Sequence, residues 1–324
     1  MTVSVTEAPV GVATKTTSEP LLRPGNSNCA GCGMSLALQW FGEALHGTKP
    51  LLAVPPCCAT VTANMFPATA YSTPGVATTF ASSAAVASGL KRVCAINGEH
   101  VPVICWTGDG GTYDIGMATL SAAAERNEDI IYVCYDNEIY GNTGGQRSGA
   151  TPQGARTTTT VAGKAERKKD IMAIVAAHRV PYAATLSLAH RDDFLRKVEF
   201  ALTQRGFRFL TLLSPCPAGW KCEPDAGVEL VRLAVDSGLY PLYEVFDGAR
   251  YRINARPDGA SAGTALESYV GGQKRFKSRT LALDVWRATI VEDWTHLEAL
   301  ERAFPAREDE GFALAALAAR SQDA

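Results

Sequence analysis

Two apolar segments, each followed closely by an acidic or amide side chain, constrain the fold of this chain more than any other feature. Residues 103–106 read Val-Ile-Cys-Trp and precede the Gly-Asp-Gly-Gly of residues 108–111; residues 130–135 precede Asp136 and Asn137. Short apolar runs of this kind indicate buried strands. Open α/β sheets present ligands at the carboxyl ends of their strands, so we expect both polar segments at one edge of a sheet.

Oxygen ligands in this arrangement are what a hard divalent cation on a diphosphate requires. Mg²⁺ binds carboxylate, amide or carbonyl oxygens together with phosphate oxygens. The glycines would let the backbone approach a phosphate, and a helix starting near Tyr113 would direct its free N–H groups at it. The alternative is a glycine turn followed by an ordinary strand exit. Since both segments follow strands, the sequence predicts a diphosphate site.

The stretch from Thr107 to Gln146, with Asp-Asn-Glu-Ile-Tyr-Gly-Asn-Thr-Gly-Gly-Gln at 136–146, resembles a known signature. It is similar to the thiamine-diphosphate signature of 2-oxoacid:ferredoxin oxidoreductases, specifically of the β subunit of pyruvate:ferredoxin oxidoreductase, and the resemblance covers residues 24–276. It implies that Mg²⁺ is bound by the side chains of Asp109 and Asn137 and by the carbonyl of Ile139. The implied cofactor-binding set is Gly108, Asp109, Gly110, Gly111, Asn137, Ile139 and Asn142, and Asn142 would be catalytic, facing the substrate carboxylate and the thiazolium.

The nine cysteines provide a second line of inference. Without a recognisable secretory segment, we expect free thiols in a reducing cytoplasm rather than disulfides. Cys29 and Cys32 form a CxxC motif, Cys57 and Cys58 follow two prolines, and Cys216 lies between two prolines. Four thiolates from such positions suit either a 4Fe–4S cluster or a tetrahedral zinc, and spacing does not separate the two.

The resemblance favours iron, because a thiamine site beside four thiolates makes sense when electrons leave the substrate one at a time. The implied cluster ligands are Cys29, Cys32, Cys57 and Cys216. Cys58 is the alternative to Cys57, and Cys222 the alternative to Cys216, which the flanking prolines favour. One cluster is expected because the tandem-cluster motif is absent. Apolar surroundings indicate core positions for three others: Cys94, Cys105 and Cys134.

Alternation of helical and strand patterns predicts an α/β class with a mostly parallel sheet and helices on both faces. The resemblance implies that this sheet is a thiamine-diphosphate-binding fold. Strands are predicted at 51–54, 101–106, 129–135 and 207–213, and helices at 35–46, 78–93, 114–126, 171–178 and 194–204. The predicted domains are a disordered tail (1–20), a thiamine-diphosphate and iron–sulfur domain (21–238) and a C-terminal extension (239–324). The extension would pack on the domain or on a partner subunit, with an irregular strand pair at 243–254 and helices at 294–304 and 311–320.

Charge and hydropathy limit the classes of partner. The formal net charge is −2 and the pI is about 6.2, without a basic stretch that has interleaved aromatics, so nucleic acid is not expected as a partner. Four basic residues between positions 164 and 169 are interpreted as a solvated face. Residues 1–20 lack the features of a signal peptide, and no apolar run has membrane-spanning length. We therefore expect a soluble cytoplasmic protein without membrane contact.

The resemblance implies conversion of pyruvate to acetyl-CoA and CO₂, reversibly, with electrons passing through a 4Fe–4S cluster to ferredoxin. The glutamate that activates thiamine comes from another subunit in that family, so this chain is expected to be inactive without α, γ and δ type subunits. Alternatives are another 2-oxoacid such as oxalate, 2-oxoglutarate or a branched acid, a non-oxidative thiamine enzyme, and a non-catalytic electron-transfer module. The long polar loop 141–160 contains Asn142 and Arg147 as candidate ligand contacts.

Overall fold

One sheet of eight strands organises the described residues, which are 19–63, 68–276 and 279–311 of the computed structural model. In chain order the strands are β1 (Leu51–Val54), β2 (Gly75–Ala77), β3 (Val103–Gly108), β4 (Ile131–Asp136), β5 (Tyr182–Leu186), β6 (Arg208–Leu213), β7 (Leu242–Phe246) and β8 (Arg250–Ala255). Across the sheet they lie in the order β2-β1-β3-β4-β6-β5-β7-β8. The pairings from β2 to β5 are parallel, and β7 and β8 are antiparallel additions. The expected mostly parallel α/β class is confirmed.

Helices cover both faces of this sheet. They are α1 (Gly33–Ala44), α2 (Cys58–Val61), α3 (Ser83–Ile96), α4 (Met117–Glu125), α5 (Ile171–Ala176), α6 (Arg191–Thr203), α7 (Pro217–Trp220), α8 (Gly227–Asp236), α9 (Ala262–Gly271) and α10 (Arg279–Ala303). In β4, Ile131 and Val133 pack with α1 and α6, whereas Tyr132 and Cys134 pack with α4 and α5 on the opposite face. Successive side chains of a strand point to opposite faces, so a strand covered on both faces is apolar throughout.

The element boundaries depart from the sequence prediction in two places near the site. The helix expected from residue 78 begins at Ser83, because β2 and a turn occupy the preceding residues. The helix expected from residue 114 begins at Met117 and is preceded by a π-helical turn over Gly110–Asp114. The sequence analysis also missed β5, α8 and α9. In β5 the central Ala183 and Ala184 weaken the strand pattern, since alanine is depleted in strands.

The C-terminal extension packs on the sheet itself. The predicted strand pair at 243–254 is the hairpin of β7 and β8, which turns at Asp247 and Gly248, both with positive φ. β7 pairs with β5, and α10 packs against β8 and α9. The predicted tail (1–20) and the predicted helix at 311–320 lie almost entirely outside the described residues. Within the part that the structure describes, no helix combines the length and apolar character needed to cross a bilayer.

Candidate functional site

The two polar segments meet at the carboxyl edge of adjacent strands. β3 pairs in parallel with β4, and Gly108 lies opposite Tyr135 in the register. Asp109 therefore follows the end of one strand, and Asn137 follows the end of its neighbour. The structure brings these two side chains together, which the sequence analysis had inferred only from the order of the elements.

Three candidate oxygen ligands converge at this edge. The side-chain amide of Asn137 lies 2.9 Å from Asp109 Oδ1 and 2.8 Å from the carbonyl oxygen of Ile139. With its nitrogen turned toward them, Asn137 donates a hydrogen bond to each. In the opposite orientation a carboxylate, an amide and a carbonyl oxygen face one another, which is the oxygen donor set that Mg²⁺ prefers. These residues thus fit a hard cation.

The electrostatic environment of the buried carboxylates at this edge also favours binding of a cation. Asp109 and Asp136 are 3% and 1% exposed. Burial raises the pKa of Asp109 well above its ordinary value, and the nearby charge of Asp136 raises it further. Ser148 donates a hydrogen bond to Asp109 Oδ2, which opposes this shift. Asp109 therefore lies in an environment that disfavours its charge until a further positive group compensates it.

Glu138 was not predicted as a site residue, yet it lies buried between Asn137 and Ile139 and has a φ of 65°. Lys168 bridges it to Asp136, with Nζ–O distances of 2.9 and 2.6 Å. Arg275 pairs with its other oxygen at 2.6 Å. Burial opposes ionisation of Glu138, but Lys168 and Arg275 outweigh burial and lower its pKa. A buried acid beside two candidate ligands leaves no trace in hydropathy, so sequence patterns did not reveal it.

The interpretation of the basic run at 164–169 as a solvated face was wrong for Lys164 and Lys168, whereas the other two basic residues of the run are exposed. Lys164 is 2% exposed, and its ammonium donates hydrogen bonds to the carbonyls of Gly149 and Thr151. Lys168 reaches the acids described above. Both lysines turn inward because the loop 141–160 and the acidic strand end present oxygen acceptors that lie far away in sequence. They therefore hold the loop and the strand ends together.

The glycines of the motif have close protein neighbours. A Cβ on Gly110 would collide with the ring of Tyr140, whose hydroxyl donates to Asp114 Oδ2 at 2.8 Å. A Cβ on Gly111 would lie 2.7 Å from Thr107 Cγ2. Their small size is thus required by packing at the π-helical turn. Their contact with phosphate, and that of Gly108, stays a prediction.

The CxxC loop and the Cys216 segment pack directly on each other. Gly33 N donates to Pro215 O at 3.1 Å, and a Cβ on Gly31, which has a φ of 75°, would collide with Pro224 O. Burial, with smaller contributions from the neighbouring thiols of Cys32 and Cys29, raises the pKa of Cys216 to about 11. The backbone therefore brings three of the predicted cluster ligands into one neighbourhood.

For the third predicted ligand, the geometry favours Cys58 over Cys57. Burial raises the pKa of Cys58 to about 12, with additional contributions from the thiols of Cys216, Cys32 and Cys57. The Cys57 thiol instead donates to Pro55 O at 2.9 Å. Within the described residues, no three Cys, His, Asp or Glu side chains are close enough together to hold a metal ion. The predicted set with Cys57 stays untested.

The other cysteines have less connection to this neighbourhood. Cys94, Cys105 and Cys134 are buried in the core, as the sequence indicated. Cys222 is partly buried, and burial raises its pKa.

Asn142 contacts one of the candidate cluster ligands. It is exposed on the loop that follows β4, and the Cys58 thiol donates a hydrogen bond to Asn142 Oδ1 at 3.5 Å. Arg147, the other candidate contact of this loop, is exposed and pairs with Glu166 at 3.5 Å. The predicted substrate-facing amide thus lies next to a candidate cluster ligand.

A cavity of about 520 Å³ is lined by residues of the sheet and of α10. Tyr113, Glu138 and Lys168 are among its lining residues. Asp109, Asn137 and Asn142 do not line it, so this cavity is separate from the converging oxygen ligands.

Comparison with known proteins identifies the family. Residues 57–212 match the family described as thiamine pyrophosphate enzyme, C-terminal TPP binding domain. Ketoisovalerate oxidoreductase subunit VorB of Pyrococcus abyssi is 40% identical over 292 residues, which cover 86% of this chain and 93% of the relative. Pyruvate synthase subunit PorB of Methanothermobacter marburgensis is 42% identical over 272 residues, covering 82% and 93%.

The chain belongs to the β-subunit family of 2-oxoacid:ferredoxin oxidoreductases. It is a subunit of a thiamine-diphosphate-dependent oxidoreductase complex, and it contains the thiamine-diphosphate-binding domain. A solved structure of 2-oxoglutarate:ferredoxin oxidoreductase from Magnetococcus marinus has the same fold, with a TM-score of 0.57 and 19% identity. That similarity covers 80% of this chain and 93% of the solved chain.

Proposed function

We propose that this β subunit holds thiamine diphosphate, Mg²⁺ and one 4Fe–4S cluster in a cytoplasmic complex that oxidises pyruvate to acetyl-CoA and CO₂ and reduces ferredoxin, reversibly. The observation that carries the proposal is the contact between Cys58 and Asn142. It puts a candidate cluster ligand next to the loop that follows the candidate Mg²⁺ ligands. An enzyme that passes electrons from substrate to cluster requires this proximity.

Asp109, the Asn137 amide and the Ile139 carbonyl are proposed to bind Mg²⁺, and through it the diphosphate. Ser148 positions the Asp109 carboxylate by donating to its second oxygen. Gly108, Gly110 and Gly111 are proposed to line the approach to the diphosphate beside this turn. When bound, thiamine diphosphate supplies the chemistry that cleaves the bond between the 2-oxo carbon and the carboxylate and accepts the resulting electrons.

Asn142 is proposed to contact the substrate. A neutral amide donates a hydrogen bond to the substrate carboxylate without repelling it. A donor of this kind interacts more strongly as charge develops on the reacting group. The Cys58 thiol donates to Asn142 Oδ1 in this structure; as a thiolate ligand of the cluster it would have no proton to donate, so the Asn142 amide would be released to turn toward the substrate.

Cys29, Cys32, Cys58 and Cys216 are proposed as the cluster ligands. Cys58 replaces Cys57 of the sequence prediction, because the Cys57 thiol bonds to Pro55 O whereas Cys58 lies near Cys32 and Cys216. Four thiolates repel one another in a buried site, and the cationic iron core would offset that repulsion. A cluster accepts one electron at a time, which suits transfer to ferredoxin.

Partner chains complete the proposed enzyme. We propose α, γ and δ type subunits, one of which supplies the carboxylate that activates thiamine, so this chain alone is inactive. Coenzyme A releases the acyl group as its thioester. The exposed position of Asn142 supports a substrate site that a neighbouring subunit closes.

Pyruvate is the proposed substrate, and the branched acid of ketoisovalerate oxidoreductase is the second candidate because those relatives are 40% identical. The test is CoA-dependent ferredoxin reduction by the anaerobically purified complex with pyruvate, 3-methyl-2-oxobutanoate, 2-oxoglutarate and oxalate. The proposal predicts the highest kcat/KM for pyruvate. A higher value for another acid would reassign the substrate, and aldehyde formation without ferredoxin reduction would indicate a non-oxidative enzyme.

A further inference from the structure

Arg275 occupies an unusual position between the two candidate cofactor sites. It is 3% exposed, and its guanidinium pairs with Glu138 Oε2 at 2.6 Å. The same group lies over the Trp220 ring, 4.5 Å from the ring centroid, and donates to the Tyr269 hydroxyl at 3.3 Å. Three separate elements thus meet at one buried cation that no step of the proposed chemistry uses.

Trp220 extends this connection in both directions. Its indole Nε1 donates to the carbonyl of Asn137 at 3.0 Å. It ends α7, the single helical turn that begins directly after Cys216. In addition, Lys274 N donates to Lys221 O at 3.2 Å, which fixes the segment before Arg275 against the residue after Trp220. The Cys216 turn and the Asn137 backbone therefore share one packing unit.

Glu138 is the residue whose backbone sets the direction of both neighbouring candidate ligands. Its left-handed φ of 65° is a conformation that non-glycine residues adopt only when their surroundings hold them there. Its N–H donates to Asp136 Oδ1 at 3.1 Å, and its carbonyl accepts from Thr151 at 2.7 Å. Arg275 and Lys168 fix its carboxylate.

We propose that Arg275 is a positioning residue for the Mg²⁺ loop, acting through Glu138 so that the Asn137 amide and the Ile139 carbonyl are held ready to bind the ion. This inference rests on the proposed Mg²⁺ and thiamine-diphosphate site. Groups behind metal ligands orient them, and their loss costs roughly 10–100-fold in metal affinity. An arginine suits the position because its planar group stacks on an aromatic ring while pairing with a carboxylate.

The experiment measures the Mg²⁺ concentration that half-saturates thiamine-diphosphate binding to the purified complex at fixed excess cofactor, by equilibrium dialysis. Arg275→Met is expected to raise it about 10–100-fold. Arg208→Met is the matched control, since Arg208 is 4% exposed and pairs with Asp129 at the amino ends of β4 and β6, away from the carboxyl edge that carries the site. Arg208→Met should leave the half-saturating Mg²⁺ concentration within about twofold of wild type. An equal shift in both variants would overturn the inference, because it would reflect general destabilisation.

Glu138→Gln provides a second test that does not depend on Arg275→Met assembling. It keeps the side-chain shape, removes the charge that Arg275 pairs with, and should also raise the half-saturating Mg²⁺ concentration. The double variant, Arg275→Met with Glu138→Gln, should have a half-saturating Mg²⁺ concentration no higher than that of the more affected single variant, because both substitutions act through one contact. Fold-changes that multiply would contradict the pathway through Glu138, and wild-type affinity in Glu138→Gln would overturn it.

The wild-type titration separates the two levels of the account. A wild-type complex that binds thiamine diphosphate without Mg²⁺, or that binds no thiamine diphosphate, would contradict the proposed function itself. Mg²⁺-dependent binding in wild type with an unchanged Arg275→Met would leave the proposed function intact and remove only the positioning role.

Discussion

Replacing Asp109 with asparagine should raise the stability of the cofactor-free protein and lower that of the cofactor-loaded protein. In the cofactor-free protein, Asp109 is buried beside Asp136, and burial together with that neighbouring charge raises its pKa well above the ordinary value, so the ionised form is disfavoured. An isosteric amide keeps hydrogen-bond contacts with the Asn137 amide and Ser148 and removes the ionisable group. Relief of a buried, poorly compensated polar group amounts to about 1–3 kcal/mol. Asp109→Asn without cofactor should therefore be more stable than wild type.

The magnitude follows from the size of the chain. At about 2.1 cal/mol/K per residue, unfolding 324 residues changes the entropy by about 0.7 kcal/mol/K. A gain of about 1–3 kcal/mol therefore raises Tm by about 1.5–4 °C. Wild type with ligand at 100 times its Kd gains about 2.7 kcal/mol, which is about 4 °C. Asp109→Asn should lose nearly all of that ligand-induced shift, because the Mg²⁺ carboxylate is gone.

Calorimetry of both complexes at pH 8, stripped with EDTA and then reloaded with Mg²⁺ and thiamine diphosphate, measures all four melting temperatures of the transition in which this subunit unfolds. The expected order is reversed between the two conditions: the variant melts higher when stripped and wild type melts higher when loaded. A full ligand-induced shift in Asp109→Asn would refute the ligand assignment. A stripped variant that melts below wild type would refute the argument from the disfavoured ionisation of Asp109.

Three further predictions address other parts of the molecule. Cys58→Ser should lose or alter the iron–sulfur signal while Cys57→Ser keeps it, as iron and sulfide analysis of the complexes will show; the reverse result restores Cys57. Asn142→Ala should lower turnover about 10²-fold with cofactor contents unchanged, and Asn142→Asp more, since it repels the substrate carboxylate; unimpaired turnover in either removes Asn142 from the active site. Burial opposes ionisation of Asp129, but its contacts with Arg208 outweigh burial and lower its pKa in the folded state. The pair therefore stabilises the fold at pH values above the unfolded-state pKa of about 3.9, and this stabilisation is lost as the pH falls through the folded-state pKa. Asp129→Asn should therefore cost about 1–3 kcal/mol at pH 7 and less at pH 3, by thermal melting; an equal deficit at both pH values contradicts this.

The strand ends at the site were predictable because their signal is local. β3 and β4 are covered on both faces, so each is a continuous apolar run, and the polar residues that follow mark the carboxyl edge. The ion pairs that organise the edge were not predictable. Lys168 lies 30 residues from Glu138, and Arg275 lies 137 residues from it, so their pairing depends on the whole fold.

The choice between Cys57 and Cys58 shows the same limit at short range. Both thiols follow the same two prolines, and their sequence surroundings differ by one position. Cys57 is the N-cap of the single turn α2, and Cys58 is its first residue, so the two side chains leave the backbone in different directions. Only the three-dimensional position of Cys32 and Cys216 distinguishes them.

Substrate-driven reduction of the cluster tests the central claim most directly. The anaerobic, oxidised complex is mixed with pyruvate and coenzyme A, and its iron–sulfur absorbance is followed with and without Mg²⁺ and thiamine diphosphate. The account predicts loss of that absorbance on addition of pyruvate only when both cofactors are present, and no such loss in Cys58→Ser. A complex whose iron–sulfur absorbance does not respond to any 2-oxoacid, or responds equally without thiamine diphosphate, would contradict it.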